Sequence, residues 1–133
     1  MAKVPDRRLP VQDTGTVDPA LLETFPYEYP GKDITVTISS DEFTALCPWS
    51  GLPDFGTVTI DYVPDRVCIE LRSLKYYLLS YRTVGIYQEH ATCRILEDLV
   101  RSSKPRRMKV TADYKVRGGI HSVVSRDYVR RTK

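Results

Sequence analysis

The 133-residue sequence has no apolar run approaching the roughly 18 residues that a membrane span needs. It also lacks the charged-then-apolar opening of a secretory leader, so a soluble cytoplasmic protein is expected. Cysteine is scarce: Cys47, Cys68 and Cys93 are an odd set with no CxxC pair. That argues against a disulfide scaffold and fits a reducing compartment, where a lone thiol is either structural or reactive. Neither a GxGxxG nor a Walker string is present, so any nucleotide must be held without those devices. No internal repeat or low-complexity stretch appears. Tryptophan occurs once and phenylalanine three times, whereas tyrosine occurs nine times. Tyrosine suits half-buried surfaces such as subunit contacts and aromatic ligand pockets.

Hydrophobic residues make up 41% and charged residues 28%, the balance of one soluble globular domain. The net charge of +3 hides an uneven distribution. Residues 1–100 hold nine Lys/Arg against fifteen Asp/Glu, a balance of −6, while residues 101–133 hold eleven against two, a balance of +9. A small domain so polarised has a place for an anion or a reason to assemble.

Residues 1–30 lack periodicity, and Phe25 to Pro30 reads as an extended arm ahead of a domain spanning 31–133. Alternation marks strands at Lys32–Ser39 and Thr57–Val63, with a long functional loop, Asp41–Gly56, expected between them. Leu74, Tyr77, Leu78 and Tyr81 form one helical stripe, and Thr92, Ile95, Leu96, Leu99 and Val100 a second that ends before Pro105. Met108–Val116 alternates again, Arg117-Gly118-Gly119 is a turn, and Ile120–Val124 is a less regular last strand. The order ββααββ predicts an α+β fold: a four-stranded antiparallel sheet with both helices on one face.

Several residues carry chemistry. Cys47 sits in a Pro/Gly-rich segment with Asp54 seven positions on, a thiol beside a potential proton donor. The alternative is a buried cysteine with Asp54 as a turn residue. Cys68 and Cys93 fit the core or its margin. Glu70 and Glu89 each stand at a helix start, where capping explains them; the functional alternative turns both into one cleft, accepting hydrogen bonds from a heterocycle. Arg72, Ser73 and Lys75 at the first helix start suit a phosphate or a solvated basic face. His90 and Cys93, at i and i+3, would with Cys47 make a three-ligand zinc set, though no spacing demands it.

Together, Cys47-Pro48-Trp49-Ser50-Gly51-Leu52-Pro53-Asp54-Phe55, Glu70-Leu71-Arg72-Ser73-Leu74-Lys75-Tyr76-Tyr77, Gln88-Glu89 and Arg117-Gly118-Gly119 resemble one family in order and spacing. It is the NADPH-dependent 7-cyano-7-deazaguanine reductases, the nitrile reductases of queuosine biosynthesis, in their short single-module form. The resemblance runs from about Phe25 to Asp127. It implies the tunnelling fold shared with GTP cyclohydrolase I, a decamer of two stacked rings, and active sites at subunit boundaries. It implies Cys47 as nucleophile forming a covalent thioimide and Asp54 as general acid. Ile69, Glu70, Leu71, Gln88 and Glu89 then bind substrate, while Arg72, Ser73, Lys75, Arg117 and Gly118 contact NADPH, used twice per turnover as a dissociable co-substrate with no metal. Two positions depart from the family pattern. Arg72 replaces a usual lysine, a fork for a point charge. Gln88 stands where many members have histidine, so no titrating group occupies that position; adjacency does not hand the role to His90.

Two competitors follow from the residues. A zinc-dependent GTP cyclohydrolase-like enzyme would use Cys47, His90 and Cys93. A small basic RNA-binding protein would use the tail, which lacks the aromatic spacing of familiar single-strand modules. The family itself acts on the free base, so direct nucleic-acid binding is not expected.

Overall fold

The structure is a computed structural model that describes residues 9–131. After two single-turn 3-10 segments at Thr14–Thr16 and Pro19–Leu21, the chain runs β1 (Thr24–Pro26), β2 (Val36–Leu46), β3 (Pro53–Val63), β4 (Val67–Ile69), α1 (Leu71–Leu79), α2 (Gln88–Ser103), β5 (Arg107–Tyr114) and β6 (Val123–Val129). The main sheet has the order β2-β3-β5-β6, antiparallel throughout. β1 and β4 form a separate antiparallel ribbon.

Alternation explains which face is buried. Val58, Ile60 and Tyr62 of β3 lie level with Ala112, Val110 and Met108 of β5, and all six are buried. They join Leu74, Tyr77 and Leu78 of α1 and Ile95, Leu96 and Leu99 of α2 in one core. Both helical stripes therefore meet the same set of strand residues. Lys104 leaves α2 in the left-handed region, with φ 45°, and Pro105 prevents continuation.

The strand boundaries differ from the periodicity reading. Asp41–Gly56 is not a long loop: β2 continues to Leu46, β3 begins at Pro53, and only Cys47–Leu52 connects them. The cause is a β-bulge. Ser40 faces Val58 and Phe43 faces Gly56, so three residues of β2 advance against two of β3. The inward positions change from even (Val36, Ile38) to odd (Phe43, Ala45), which erases the alternation. The last strand also lies later than Ile120–Val124. Gly118 and Gly119, with φ 60° and 79°, form a two-residue turn closed by Arg117 and Ile120, and the ladder starts at Val123. β6 is an edge strand without a fully buried residue, so alternation had little to report. Residues 9–30 hold local structure of their own: Asp13 and Asp18 cap the two 3-10 segments, and Val17 is buried in the core.

The uneven charge distribution resolves into pairing across the fold. Arg101, Arg106, Arg117, Arg126 and Arg130 of the basic tail reach Asp98, Asp33 with Asp65, Asp54, Glu97 and Asp65. Most are surface pairs of modest worth, and Asp98 is the exception. It is 3% exposed and accepts hydrogen bonds from Tyr77 Oη at 2.6 Å, Arg94 at 3.1 Å and Arg101 at 3.4 Å, while Tyr77 shares a 2.8 Å bond with Tyr81. Replacing Asp98 with alanine orphans a buried phenol and a half-buried guanidinium, and is expected to cost about 2–4 kcal/mol in urea unfolding. Loss under 1 kcal/mol (roughly a marginal surface pair) would contradict this role.

Candidate active site

Cys47 opens the turn between β2 and β3. Its N–H donates to Leu52 O at 2.8 Å and its carbonyl accepts from Gly51 N–H at 2.8 Å, so the turn closes on itself. Gly51 has φ 75°, a conformation that favours glycine. The curled backbone gathers donors around the sulfur. The Ser50 N–H is the main influence and lowers the Cys47 pKa below the ordinary thiol value; burial opposes it, the Ser50 hydroxyl and Trp49 N–H assist, and the Asp54 charge opposes. In half-buried Cys47 these donors favour the thiolate. Cys68 is its contrast. Buried in β4, it has its pKa raised by loss of solvent.

Asp54 follows on β3, paired in register with Ala45. It faces the same side as Gly56 and Val58, toward the helices, with 12% of its side chain exposed. Arg117, beyond the β5 end, donates to Asp54 Oδ1 at 2.5 Å. Sequence reasoning assigned these two residues to separate tasks and did not foresee their contact. Gly118 forms the turn just beyond.

The second helix brings more groups to this end of the sheet. Gln88 begins α2, and its side-chain oxygen accepts from Ser122, tying the helix start to the approach of β6. Glu89 is exposed in the first turn. Tyr114, at the end of β5 opposite Gly56, lies in this neighbourhood and was not among the residues singled out from the sequence. It is 2% exposed, its hydroxyl makes no well-formed hydrogen bond, and burial followed by the Asp54 charge raises its pKa, with the nearby Thr92 hydroxyl opposing and Glu89 adding. Cys47, Asp54, Glu89, Arg117 and Tyr114 thus share one neighbourhood. Alternation at Val110, Ala112 and Tyr114 marked the ring as inward, but no local signal revealed that its hydroxyl points at charges.

The Glu70 group stands elsewhere. Ile69 N–H donates to Tyr62 Oη at 2.9 Å, which places Ile69 and Glu70 at the far end of β3. Tyr62 lies eight residue steps along β3 from Asp54, roughly 25 Å at the usual rise. Within one chain, then, Glu70 does not join Cys47. It caps α1: its carboxylate accepts from Ser73 N–H at 2.6 Å and Arg72 N–H at 3.0 Å, and those bonds, led by Ser73, hold its pKa below the ordinary carboxylate range. Ile69 is buried, and Ser73 Oγ bonds the Glu70 carbonyl and the Glu23 N–H. Leu71 and Lys75 line a cavity of about 430 Å³ between α1 and the bulged part of β2, and Arg72 is open to solvent. Arg82, Asp41 and Glu42 line the same cavity, so it carries both signs of charge, and Arg72 lies outside its lining. Among the described residues, no group of three or more His, Cys, Asp or Glu converges to hold a metal ion, so the zinc arrangement of Cys47, His90 and Cys93 gains no support.

The two thiol environments predict opposite titrations. Iodoacetamide labelling followed at the peptide level is expected to give Cys47 a midpoint below that of free cysteine and Cys68 one above it. Equal midpoints would contradict the donor arrangement around Cys47.

Comparison with known proteins identifies the family. The model of the QueF-like protein family matches residues 53–133. The chain is 51% identical over 110 residues to the NADPH-dependent 7-cyano-7-deazaguanine reductase of Chloroherpeton thalassium, covering 83% of this chain and 95% of that one. It is 47% identical over 126 residues to the reductase of the same name from Caldicellulosiruptor bescii, covering 95% and 96%. Its fold resembles the crystal structure of the archaeosine synthase QueF-Like in the apo form, with a TM-score of 0.68 at 22% identity over 74% of this chain and 96% of that one. With these relatives over nearly its whole length, the chain belongs to the family of NADPH-dependent 7-cyano-7-deazaguanine reductases.

Proposed function

We propose that this protein reduces the nitrile of 7-cyano-7-deazaguanine to the aminomethyl group, using NADPH, as a step of queuosine biosynthesis in the cytoplasm. The observation that carries the reading is the turn that presents Cys47 to N–H donors with Asp54 close by. The names of the relatives supply the substrate class.

The Cys47 thiolate attacks the nitrile carbon; the S–C bond forms as one C–N π bond breaks, and the nitrogen takes a proton from Asp54, giving a thioimide. Asp54 accepts from Arg117 in the free chain, so proton donation requires that contact to loosen. When bound, NADPH supplies hydride to the thioimide carbon. Collapse of the adduct then returns the electron pair of the S–C bond to Cys47 as thiolate. The imine left behind accepts a second hydride and a proton to become the amine. Retaining the imine in a closed site protects it from water.

Glu70 with Ile69 and Leu71, and Glu89 with Gln88, are the substrate contacts in this reading; Arg72, Ser73, Lys75, Arg117 and Gly118 belong to the NADPH contacts. The separation between Glu70 and Cys47 supports a site shared between copies, with Glu70 supplied by a neighbour. A tunnelling-fold decamer meets that need, since the open edges of β2 and β6 leave strands to pair. Exposed Phe25, Phe55, Leu71, Tyr87 and Val129 are further contact surface. In this organisation residues 31–133 are the reductase domain and residues 1–30 its arm.

Mixing the protein with 7-cyano-7-deazaguanine without NADPH and weighing it intact is expected to show one covalent adduct per chain, absent in Cys47→Ala. Asp54→Asn is expected to slow adduct formation by about 10²-fold or more, since the nitrogen loses its proton source. An adduct that persists in Cys47→Ala, or none with the wild type, would overturn the covalent route.

A further inference from the structure

The segment Leu9–Gln12 takes no part in the chemistry above, yet it lies against the loop that does. Leu9 N–H donates to Ser50 O at 3.0 Å. The approach is close enough that a β-carbon on Gly51 would come within 2.4 Å of Leu9 O. Two residues on, Gln12 pairs with the extended stretch after α1: its N–H donates to Thr83 O at 2.7 Å and its carbonyl accepts from Gly85 N–H at 2.9 Å. Gln12 Oε1 also accepts from the Thr83 hydroxyl. The same stretch holds β2 on its other side, with Leu46 N–H donating to Val84 O at 2.9 Å and Ile86 N–H to Leu46 O at 3.0 Å. Val11 seats over Gly85, where a β-carbon would meet its side chain at 2.7 Å and Pro48 Cα at 3.4 Å.

These contacts bracket Cys47. One holds Leu46, immediately before it, through residues 83–86; the other holds Ser50, whose N–H and hydroxyl address the sulfur. Ser50 lies inside the turn closed by Cys47 N–H to Leu52 O and Gly51 N–H to Cys47 O, so anchoring its carbonyl restrains the turn that carries its N–H. A two-sided contact made by backbone groups and two glycines is specific in a way that a loosely lying tail is not. We propose that residues 9–12 are a positioning strap, whose seating on Ser50, Gly51 and Gly85 holds the donors of the loop on the Cys47 sulfur and so sets the reactivity of the nucleophile. For turnover this rests on Cys47 being the nucleophile; the reactivity itself is measured without substrate, so the two ideas fail separately.

Two variants unseat the strap differently. Leu9→Pro removes the N–H that Ser50 O accepts. Gly85→Ala places a methyl group into Val11, and Val11→Gly added to it removes the obstruction. Cys47 alkylation by iodoacetamide is read across pH at the peptide level, with Cys93 as the internal reference and circular dichroism reporting the fold. Leu9→Pro and Gly85→Ala are expected to slow Cys47 labelling at neutral pH by about threefold to tenfold and raise its midpoint, with Cys93 unchanged. The Val11→Gly/Gly85→Ala pair is expected to recover most of the loss. Wild-type Cys47 rates and midpoints in folded Leu9→Pro and Gly85→Ala would overturn the proposal, as would a Gly85→Ala defect that Val11→Gly leaves untouched. Should Gly85→Ala fail to fold, Leu9→Pro decides alone.

Discussion

The pairing of β2 with β3 is the constraint on which the site depends. One extra residue in β2, between Ser40 and Phe43, changes which side chains face the helices. Below the bulge the strand matches Ile38 to Ile60; above it Phe43 meets Gly56 and Ala45 meets Asp54. Asp54 faces the helices through the unbroken alternation of β3 with Gly56 and Val58, and the bulge brings inward-facing Ala45 level with it at the end where the turn carries Cys47. A register slip of one residue would send Asp54 to the opposite face and separate acid from thiol. Gly56 and Tyr114 complete the same row on β3 and β5, so the buried hydroxyl arrives beside Asp54 by the same pairing.

The second organising fact is distance. The Cys47 and Glu70 groups occupy opposite ends of the sheet, and each is finished by local backbone: a hydrogen-bonded turn at one end, a capped helix start at the other. Ends so far apart cannot serve one small heterocycle within a single chain. In the proposed assembly an antiparallel neighbour brings one end of its sheet to the opposite end of this one. The charge asymmetry has a plainer use than nucleic-acid binding. Five tail arginines meet carboxylates from the first hundred residues: Arg126 fastens β6 to α2 and Arg130 the end of β6 to the β3–β4 corner, while Arg101 pairs within α2.

Much of this was legible in the sequence. Helical stripes at Leu74–Tyr81 and Thr92–Val100 located both helices because their buried faces are continuous, and the Gly118-Gly119 turn followed from glycine's access to positive φ. The chain's β2 was half visible: alternation ends where the bulge begins, which made a strand look like a loop. For β6 the signal was weak, because an exposed edge has no buried face to alternate. The motif order pointed to Cys47, Asp54, Glu70 and Glu89, but residue types carry no three-dimensional address. Thus the Arg117–Asp54 pair, the buried Tyr114 hydroxyl and the Leu9–Gln12 contacts are products of long-range register, and only the folded chain shows them.

The central claim is that a 133-residue chain without a nucleotide-binding motif performs nitrile reduction through Cys47. Converting a nitrile to a primary amine takes four electrons, which is two hydrides. The most direct test follows NADPH oxidation at limiting 7-cyano-7-deazaguanine and quantifies the amine formed. The account predicts two NADPH consumed for each aminomethyl product and none in Cys47→Ala. NADPH oxidation that ignores the nitrile, or amine formation that survives loss of the thiol, would contradict it.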